Sequence, residues 1–370
     1  MKRLILIGGG HSHVEVLRSF AQRPEAGAEL VLISPHPFAL YSGMLPGLIA
    51  GHYHEQDCQI DLGLLASRAG ARFLQGAVNG LHLEARLAFC SSGDILPYDF
   101  VSIDIGSRPE TLEVPGAAEY ALAVKPAERF IELWSNLVLR AKSLPSRWRL
   151  LMVGAGAAGV ETLLAMQHRL SHAGARELQC TLVTDTAEVL QSHSPRVRRI
   201  FARLLRQRGV DVHPGRRVNE VRNGSVLSAD GSELFADLVV WAIGASAPFW
   251  PRACGLATDA RGFIRVNASL QTLNRPEIFA AGDIAEMHSP RPKSGVYAVR
   301  QGPPLDENLR RALRGQPLAA YFPQQEALAL VSTGERYAVA SRGNLAVEGA
   351  WVWKWKDWID RRFVRRYALR

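Results

Sequence analysis

Short apolar runs, each followed by a glycine turn and a helical spacing of apolar residues, occur twice in this chain. Residues 4–17 (LILIGGGHSHVEVL) align with residues 150–163 (LLMVGAGAAGVETL) at an offset of 146. In each copy the apolar run predicts a buried strand, and the residues after the glycines predict a helix. The pattern therefore predicts two strand–turn–helix units.

The glycines of both copies have the spacing of a Rossmann dinucleotide-binding turn. The first glycine of such a turn allows a sharp change of direction, and the second lets the backbone approach a pyrophosphate at the helix N-terminus. One motif of this kind is weak evidence, whereas two in the same context support each other. The apolar residues 29–33 and 180–183 predict the next strands, whose ends would meet the adenosine ribose. The glycines are Gly8 and Gly10 in the first copy and Gly154 and Gly156 in the second.

The first copy departs from the dinucleotide-binding pattern at two positions. His13 stands where the second copy has its third glycine, Gly159, and this predicts looser packing or an outward shift of the helix. Ser34 stands where a carboxylate usually binds the ribose, whereas the second copy offers Asp185, one place beyond the usual position.

A second element is duplicated as well. Residues 93–106 (GDILPYDFVSIDIG) align with residues 231–244 (GSELFADLVVWAIG) at an offset of 138. Each copy predicts a hairpin turn at its first glycine, then a buried strand, then a glycine where the backbone approaches a ligand. The matching pairs are Gly93 with Gly231, Asp99 with Asp237 and Gly106 with Gly244. Two duplicated elements indicate two dinucleotide-binding units.

Residues 277–285 (EIFAAGDIA) form an apolar run that ends in Ala-Gly-Asp, and residues 293–314 then have helical character. Taken alone, this pattern also fits a strand that ends in a turn with a capping aspartate. Beside the duplicated units, it resembles the second FAD motif of flavoproteins with two dinucleotide-binding domains. In those proteins the aspartate matching Asp283 binds the ribityl chain, and the helix N-terminus faces the flavin N1 and C2 carbonyl.

From Lys2 to about Arg314 the chain resembles the pyridine nucleotide-disulfide oxidoreductase superfamily, in particular type II NADH dehydrogenases and sulfide:quinone reductases. Residues 8–17, 41–53 and 353–363 resemble a subgroup that also occurs fused to, or encoded beside, selenophosphate synthetase. The resemblance implies an α/β protein with two Rossmann-like FAD/NAD(P)-binding domains of the glutathione-reductase type. The expected parts are an FAD domain (1–110 and 246–315), an NAD(P)H domain (111–245) and a C-terminal segment (316–370) of strands and an amphipathic helix.

The resemblance also implies where each cofactor lies. FAD would have its pyrophosphate on the first glycine turn, its adenine near Val78 and its ring system beside the loop at Tyr41. NAD(P)H would lie on the second turn, with Glu161 next to the nicotinamide amide as the catalytic residue. The implied FAD residues are Gly8, Gly10, His11, Ser12, Ser34, Tyr41, Ser42, Gly43, Met44, Val78, Gly106, Gly282 and Asp283, and the implied NAD(P)H residues are Gly154, Gly156, Ala158, Gly159, Glu161, Asp185 and Gly244.

The four cysteines restrict the electron acceptor. None forms a C-x-x-C or C-x4-C pair, so a local dithiol and a cysteine-rich zinc module are excluded. Cys180 falls in a predicted buried strand and Cys254 in a loop, which argues against a two-cysteine sulfide relay. By exclusion the acceptor is external: a quinone or similar carrier, or a redox partner protein. The alternative is a slowly turning-over flavin-bearing partner or sensor in selenophosphate synthesis.

Several other assignments depend on polar residues. Asp185 favours NADH over NADPH, although arginines 196, 198 and 199 leave NADPH open because one of them could neutralise a 2′-phosphate. Histidines 11, 13, 52 and 54 lack further ligands at recognisable spacing, so no metal site is predicted. Nucleic-acid-binding motifs are absent, and nucleic acid is not an expected partner.

Composition and charge single out the C-terminal residues. The 370 residues are 47% apolar and 21% charged, as in an ordinary globular protein of two or three domains, and the net charge is +9. Residues 351–370 carry +5 of that charge and four of the eight tryptophans. As a helix this segment places Trp351, Trp355 and Trp358 on one face, which Phe363 or Ile359 would extend.

Two interpretations of this helix stay open. Aromatic rings with flanking arginines are typical of a helix that lies in a membrane interface, which would place a cytoplasmic protein peripherally on the inner face of the membrane. The tryptophans could instead pack on the flavin domain or on a second subunit in a homodimer. Neither the N-terminus nor any other stretch predicts a signal peptide or a spanning helix. Before the helix, residues 328–332 and 337–341 predict short strands.

Overall fold

The computed structural model describes residues 1–109 and 113–368. Within residues 1–109 the elements are β1 (Lys2–Ile7), α1 (His11–Gln22), β2 (Ala28–Ser34), β3 (Phe38–Leu40), α2 (Leu45–Ala50), β4 (Gln59–Asp61), α3 (Leu62–Arg68), β5 (Arg72–Gln75), β6 (Val78–His82), β7 (Leu87–Cys90), β8 (Ile95–Pro97) and β9 (Phe100–Ile103). Short 3-10 turns lie at Ser42–Met44 and Glu55–Cys58.

Residues 113–241 contain a second set of elements in a similar order. They are α4 (Ala117–Tyr120), β10 (Ala121–Ala123), α5 (Ala127–Leu139), β11 (Arg147–Val153), α6 (Ala157–Ala173), β12 (Glu177–Val183), α7 (Pro195–Gln207), β13 (Val210–His213), β14 (Val218–Arg222), β15 (Ser225–Ser228), β16 (Glu233–Phe235) and β17 (Leu238–Trp241). The rest comprises α8 (Trp250–Ala253), β18 (Ile264–Val266), β19 (Ile278–Ala280), β20 (Ala285–Met287), α9 (Gly295–Leu313), β21 (Ala329–Thr333), β22 (Glu335–Arg342), β23 (Leu345–Gly349) and α10 (Ala350–Tyr367), with 3-10 turns at Ala141–Ser143 and Gly282–Ile284.

Each of the two units is built on a parallel five-stranded sheet. The strand orders are β19-β9-β1-β2-β5 and β10-β17-β11-β12-β13. In the first sheet Leu4, Ile5 and Leu6 of β1 are fully buried, because helices or loops cover both faces of a central parallel strand. The α/β architecture with two Rossmann-like units is thus confirmed. The two sheets recruit one edge strand from different parts of the chain. In the first sheet this strand is β19, which follows the whole second unit, and in the second sheet it is β10, which precedes that unit's glycine turn.

The duplicated hairpins are confirmed. Strands β6, β7 and β8 form an antiparallel sheet in the first unit, and β14, β15 and β16 form the corresponding sheet in the second. Gly93 and Gly231 lie in the matching turns with φ of 91° and 80°, a left-handed conformation that glycine adopts without steric cost.

The third position of each glycine turn is filled in two different ways. A Cβ on Gly159 would lie 1.9 Å from the carbonyl oxygen of Gly154, so only glycine fits between α6 and β11. In the first unit His13 is fully buried at this position; its Nδ1 donates to the Gly8 carbonyl (2.7 Å) and its Nε2 accepts from Ser102 Oγ (2.8 Å). A hydrogen-bonded ring fills the space between α1 and β1, so looser packing at this position is wrong, whereas the outward shift of the helix stays a prediction.

The C-terminal segment forms the antiparallel sheet β21-β22-β23, against which α10 packs. The predicted strands and helix are confirmed, with a tight turn at Gly334. The inner face of α10 buries Val352, Val364 and Tyr367, whereas Trp351, Trp355 and Trp358 are 57%, 37% and 56% exposed.

The exposure of the tryptophans on α10 shows which of them pack on the rest of the chain. The exposure of Trp351, Trp355 and Trp358 contradicts packing on the flavin domain for these three rings, whereas Trp353 does pack on the core of the first unit and stacks on Tyr53. Phe363 does not extend the face of the three exposed rings, because it turns inward and stacks on Tyr41 at 4.1 Å between ring centroids. No helix within the described residues is both long enough and apolar enough to cross a bilayer.

Candidate functional site

The first glycine turn lies where several distant segments meet. Gly8 has φ of 94°, Gly10 is the N-cap of α1, and His11 and Ser12 begin that helix. Ser12 Oγ donates to the Ala298 carbonyl of α9 at 2.8 Å. The two elements with FAD motifs are therefore in direct contact.

A buried carboxylate that the motif analysis did not single out lies beneath this turn. Asp104 is 2% exposed, and its Oδ2 accepts hydrogen bonds from the backbone nitrogens of Ser12 (2.8 Å) and His13 (3.3 Å). Burial raises the pKa of Asp104 to about 7, against the lowering effect of these two bonds. The sequence did contain a signal for this residue. Asp104 aligns with Ala242 of the duplicated element, so an acidic residue stands where the second copy has an apolar one.

Gly282 and Asp283 lie at the end of β19. A Cβ on Gly282, which has φ of 70°, would lie 2.3 Å from the Asp104 carboxylate. Asp283 is not bonded to Asp104; its Oδ2 accepts from Lys125 Nζ at 2.7 Å and from Ser107 Oγ at 3.2 Å. Lys125 belongs to the second unit, so this ion pair joins the two units, and no motif indicated it.

The loop at Tyr41 faces α10. Lys356 Nζ of α10 donates to the Gly43 carbonyl at 2.5 Å, and Tyr41 stacks on Phe363. Ser42 Oγ lies 3.5 Å from His11 Nε2, which places this loop beside the first glycine turn. Met44 is fully buried beneath the loop.

The remaining residues predicted for FAD lie around the same sheet. Ser34 is the buried last residue of β2, and its Oγ donates to the His36 carbonyl at 3.0 Å. Val78 is the first residue of β6 and is mostly buried in the core of the first unit. Gly106 follows β9 with φ of 68°, and an added Cβ would meet no atom within 4 Å.

The second unit has a similar glycine turn before α6, with open space at the N-terminus of that helix. Gly154 has φ of 109°, Gly156 is the N-cap of α6, and Ala158 lies in the first turn of that helix. A Cβ on Gly156 would meet no atom within 4 Å, so the space over this helix N-terminus is free. Asp185 is exposed just after β12, and Gly244 follows β17 with φ of 68°.

Glu161 lies on α6 at the boundary with the C-terminal segment. Its Oε1 accepts the backbone N–H of Ser332 at 2.6 Å. Burial raises the pKa of Glu161 to about 7, although the nearby positive charge of Lys356 lowers it. Lys356 Nζ also donates to Asp360 Oδ2 at 2.5 Å, and Tyr41 hydrogen-bonds to Asp360. The structure thus connects α6, the Tyr41 loop and α10 through one set of polar groups.

All four cysteines are free. Cys58 and Cys180 are buried, and burial raises the pKa of each thiol to about 12. Cys254 Sγ accepts the backbone N–H of Leu81 at 3.0 Å. The buried thiols of Cys58 and Cys180 therefore lack the exposed, stabilised thiolate that a cysteine relay needs.

The geometry accommodates two dinucleotides. The unfilled space at Gly156 and Gly106 admits a phosphate or ribose close to the backbone, and both helices that follow the glycine turns have amide N–H groups at their N-termini. Asp283 lies at the start of the segment that leads into α9, and its contact with a ribityl chain stays a prediction.

Comparison with known proteins agrees with this arrangement. The family model "Pyridine nucleotide-disulphide oxidoreductase" matches residues 2–302. The chain belongs to this family. Pyridine nucleotide-disulphide oxidoreductases of the two-domain type bind FAD and NAD(P)H, and the chain is accordingly an oxidoreductase with the type II NADH dehydrogenase-like organisation.

The chain is similar to two curated relatives in sequence and to two solved structures in fold. It is 27% identical over 343 residues to an NADH dehydrogenase-like protein of Mycobacterium tuberculosis, covering 86% of this chain and 83% of the relative. It is 25% identical to the type II NADH:quinone oxidoreductase of Haemophilus influenzae, covering 78% and 74%. The fold matches the sulfide:quinone oxidoreductase of Aquifex aeolicus (TM-score 0.84, 18% identity, 99% and 91% covered) and NDH2 of Plasmodium falciparum (TM-score 0.82, 13% identity, 99% and 97% covered).

Proposed function

We propose that this protein is an FAD-dependent NAD(P)H dehydrogenase that passes electrons to a quinone-like acceptor. The observation that carries the proposal is the aromatic group formed by His11, Tyr41 and Phe363. Their ring centroids are 4.1–6.1 Å apart, at the junction of the first glycine turn, the Tyr41 loop and α10. Such a group provides a surface on which a planar acceptor ring can stack.

The residues around this group would position the reactants. Bound FAD would supply the hydride chemistry, accepting from nicotinamide and releasing to the acceptor. We assign Glu161 to the nicotinamide amide, since its carboxylate can accept from an amide N–H. Lys356 and Asp360 would hold a proton near Tyr41, because the ammonium and carboxylate share a hydrogen bond in a buried setting.

An external acceptor follows from the state of the cysteines. All four are free, three of them are buried, and no two have the C-x-x-C or C-x4-C spacing of a local dithiol that could take electrons from the flavin within the chain. Quinone reduction is the activity named for the Haemophilus influenzae relative and for a demethylphylloquinone reductase of Synechocystis that is 24% identical over 349 residues. A redox partner protein is the second kind of acceptor that the same surface could serve.

We further propose NADH as the preferred donor. Asp185 is exposed at the end of β12, where a carboxylate would accept from a ribose 2′-hydroxyl and repel a 2′-phosphate. Arg198, one of the arginines that could neutralise such a phosphate, is paired with Glu188. A higher kcat/KM for NADH than for NADPH, and a reduced ratio in Asp185→Ala, would support this assignment; an unchanged ratio would contradict it.

The test of the main proposal is an anaerobic titration. Purified protein should show oxidised flavin absorbance at about 450 nm, lose it on addition of NADH, and regain it when a soluble quinone is added. Absence of flavin, or flavin that NADH does not bleach, overturns the proposal. Bleaching without reoxidation by quinones, combined with binding to selenophosphate synthetase, would support the alternative role as a flavin-bearing partner in selenophosphate synthesis.

A further inference from the structure

Three segments of the first unit surround the carboxylate of Asp104. Two amide N–H groups at the N-terminus of α1 donate to it, and Gly10 and Gly282 leave space for it. An added Cβ would lie 2.2 Å from this carboxylate at Gly10 and 2.3 Å from it at Gly282. The two glycines predicted to approach FAD therefore also make room for an acidic side chain.

The charges that face Asp104 do not neutralise it. On α1, burial lowers the pKa of His11 and of His13 to about 4, so both rings are neutral at pH 7. Asp283, on the segment after β19, adds negative charge. Lys125, from the second unit, is hydrogen-bonded to Asp283 rather than to Asp104. The stabilisation of an anionic Asp104 thus depends on the two amides, the Ser12 hydroxyl and the helix N-terminus.

A dinucleotide needs the same helix N-terminus for its diphosphate. Two anions at one helix N-terminus repel each other in a buried site, and the repulsion disappears when the carboxylate gains a proton. The carbonyl oxygen of a protonated Asp104 can still accept from Ser12 and His13, so the local structure need not change.

We propose that Asp104 takes up one proton from solvent when FAD binds, so that the affinity for FAD falls as the pH rises. This inference rests on the FAD binding proposed above. It concerns the first unit alone, because the second unit has Ala242 at the corresponding position and NAD(P)H binding should lack this pH dependence.

The experiment measures FAD release from the diluted holoprotein between pH 6 and 9 by the rise of flavin fluorescence. Because a carboxyl with a pKa of about 7 must be protonated for binding, the apparent Kd should rise up to about tenfold per pH unit above pH 7. Asp104→Asn should bind FAD with little pH dependence and at least about tenfold more tightly than wild type at pH 9. Asp306→Asn is the matched control: this buried carboxylate on α9 pairs with Arg310, and the variant should keep the wild-type slope.

A second measurement does not depend on how the variants fold. Calorimetry of FAD binding to FAD-depleted wild type, in buffers of different ionisation enthalpy, should give close to one proton taken up at pH 8. FAD binding without proton uptake, or an equal pH slope in wild type and Asp104→Asn, overturns the role of Asp104 only. Failure to bind FAD at any pH refutes the flavin-dependent function instead, so the two failures are distinguishable.

Discussion

At the scale of single residues, His13 shows how a departure from a motif is accommodated. Glycine fits this position in the second unit because the backbones of α6 and β11 nearly touch. In the first unit a buried imidazole connects α1 to β1 and β9 through Gly8 and Ser102. A side chain with two ring nitrogens can replace a close backbone contact when both nitrogens find partners.

His13→Ala should destabilise the protein by about 2–4 kcal/mol. The substitution opens a cavity and leaves the Ser102 hydroxyl and the Gly8 carbonyl without their partner. Urea denaturation followed by circular dichroism measures the loss. His36→Ala, at an exposed position, is the control and should be close to neutral. A loss below about 1 kcal/mol for His13→Ala would mean that the ring contributes little.

Glu161→Ala should weaken NADH binding about tenfold, the effect of losing one charge-assisted hydrogen bond. The pKa of about 7 sets the pH dependence: if the ionised form accepts from the nicotinamide amide, the Kd for NADH should fall as the pH rises through 7. Glu161→Gln keeps an acceptor oxygen but cannot ionise, so its Kd should be nearly independent of pH. Stopped-flow bleaching of the flavin at varied NADH gives the Kd. Unchanged binding in Glu161→Ala would remove this residue from the site.

At the scale of elements, the two glycines of the second turn have different roles. Gly159 has no space for a methyl group, because an added Cβ would lie 1.9 Å from the Gly154 carbonyl oxygen. At Gly156 an added Cβ would meet no atom within 4 Å, and its φ of −70° is open to any residue. The motif assigns the second glycine to pyrophosphate approach and the third to helix–strand packing. The crowding at Gly159 agrees with its packing role, and the ligand role of Gly156 stays a prediction.

Alanine at Gly159 should therefore reduce mainly the stability of the protein, and alanine at Gly156 mainly its affinity for NAD(P)H. Gly159→Ala should cost about 3 kcal/mol or more of stability, because backbone atoms must move to accept the methyl group. Gly156→Ala should change stability by at most about 1 kcal/mol but weaken NAD(P)H binding, since its methyl group would occupy the space of the pyrophosphate. Thermal unfolding and NADH titration of both variants provide the comparison. Equal losses of stability would contradict the distinction.

Helix α10 is attached through a buried ion pair. Lys356→Met should cost about 3–5 kcal/mol, because it leaves the Asp360 carboxylate buried without its cation and removes the donor to Gly43. Lys356→Met combined with Asp360→Leu should recover much of that stability, since no unpaired charge is then buried. Denaturation midpoints and limited proteolysis of α10 measure both effects. No recovery in the double variant would show that the charges are needed for more than mutual neutralisation.

At the scale of the whole molecule, α10 and the strand before it both have exposed apolar side chains. Trp351, Trp355 and Trp358 are exposed on the helix, and on the preceding strand β23 Leu345 and Val347 are 74% and 46% exposed. Arg362 lies over the Trp358 ring, with its guanidinium carbon 5.2 Å from the ring centroid. Tryptophan with flanking basic residues is the composition that binds at a bilayer interface, so we predict that this face binds a membrane surface.

Removal of this aromatic face should abolish membrane binding without loss of redox chemistry. Replacing Trp351, Trp355 and Trp358 together by alanine should reduce sedimentation with phosphatidylglycerol-containing liposomes at least about tenfold. The control replaces Phe235 and Phe249, which are 61% and 77% exposed elsewhere on the chain. Binding by the wild type should also weaken as salt rises, because the basic side chains contribute. Equal sedimentation of all variants would leave α10 without a membrane role.

The predictable part of the fold was the part encoded locally. The two glycine turns, the two hairpins and the C-terminal helix follow from apolar spacing and from glycine positions, and all are present. The site was less predictable, because no sequence motif pointed to three of its charged residues, Asp104, Lys125 and Lys356. Their roles depend on partners 92, 158 and 313 positions away along the chain.

The repeated elements, and with them the two-dinucleotide architecture, could be read from the chain because turn conformation and side-chain periodicity are properties of neighbouring residues. Long-range packing settled the rest: β19 rather than a local strand closes the first sheet, and Phe363 turns inward while three tryptophans face outward. Packing also set Asp104 beneath a helix N-terminus. These outcomes depend on which distant surfaces meet and on the burial that results, and no local pattern encodes that.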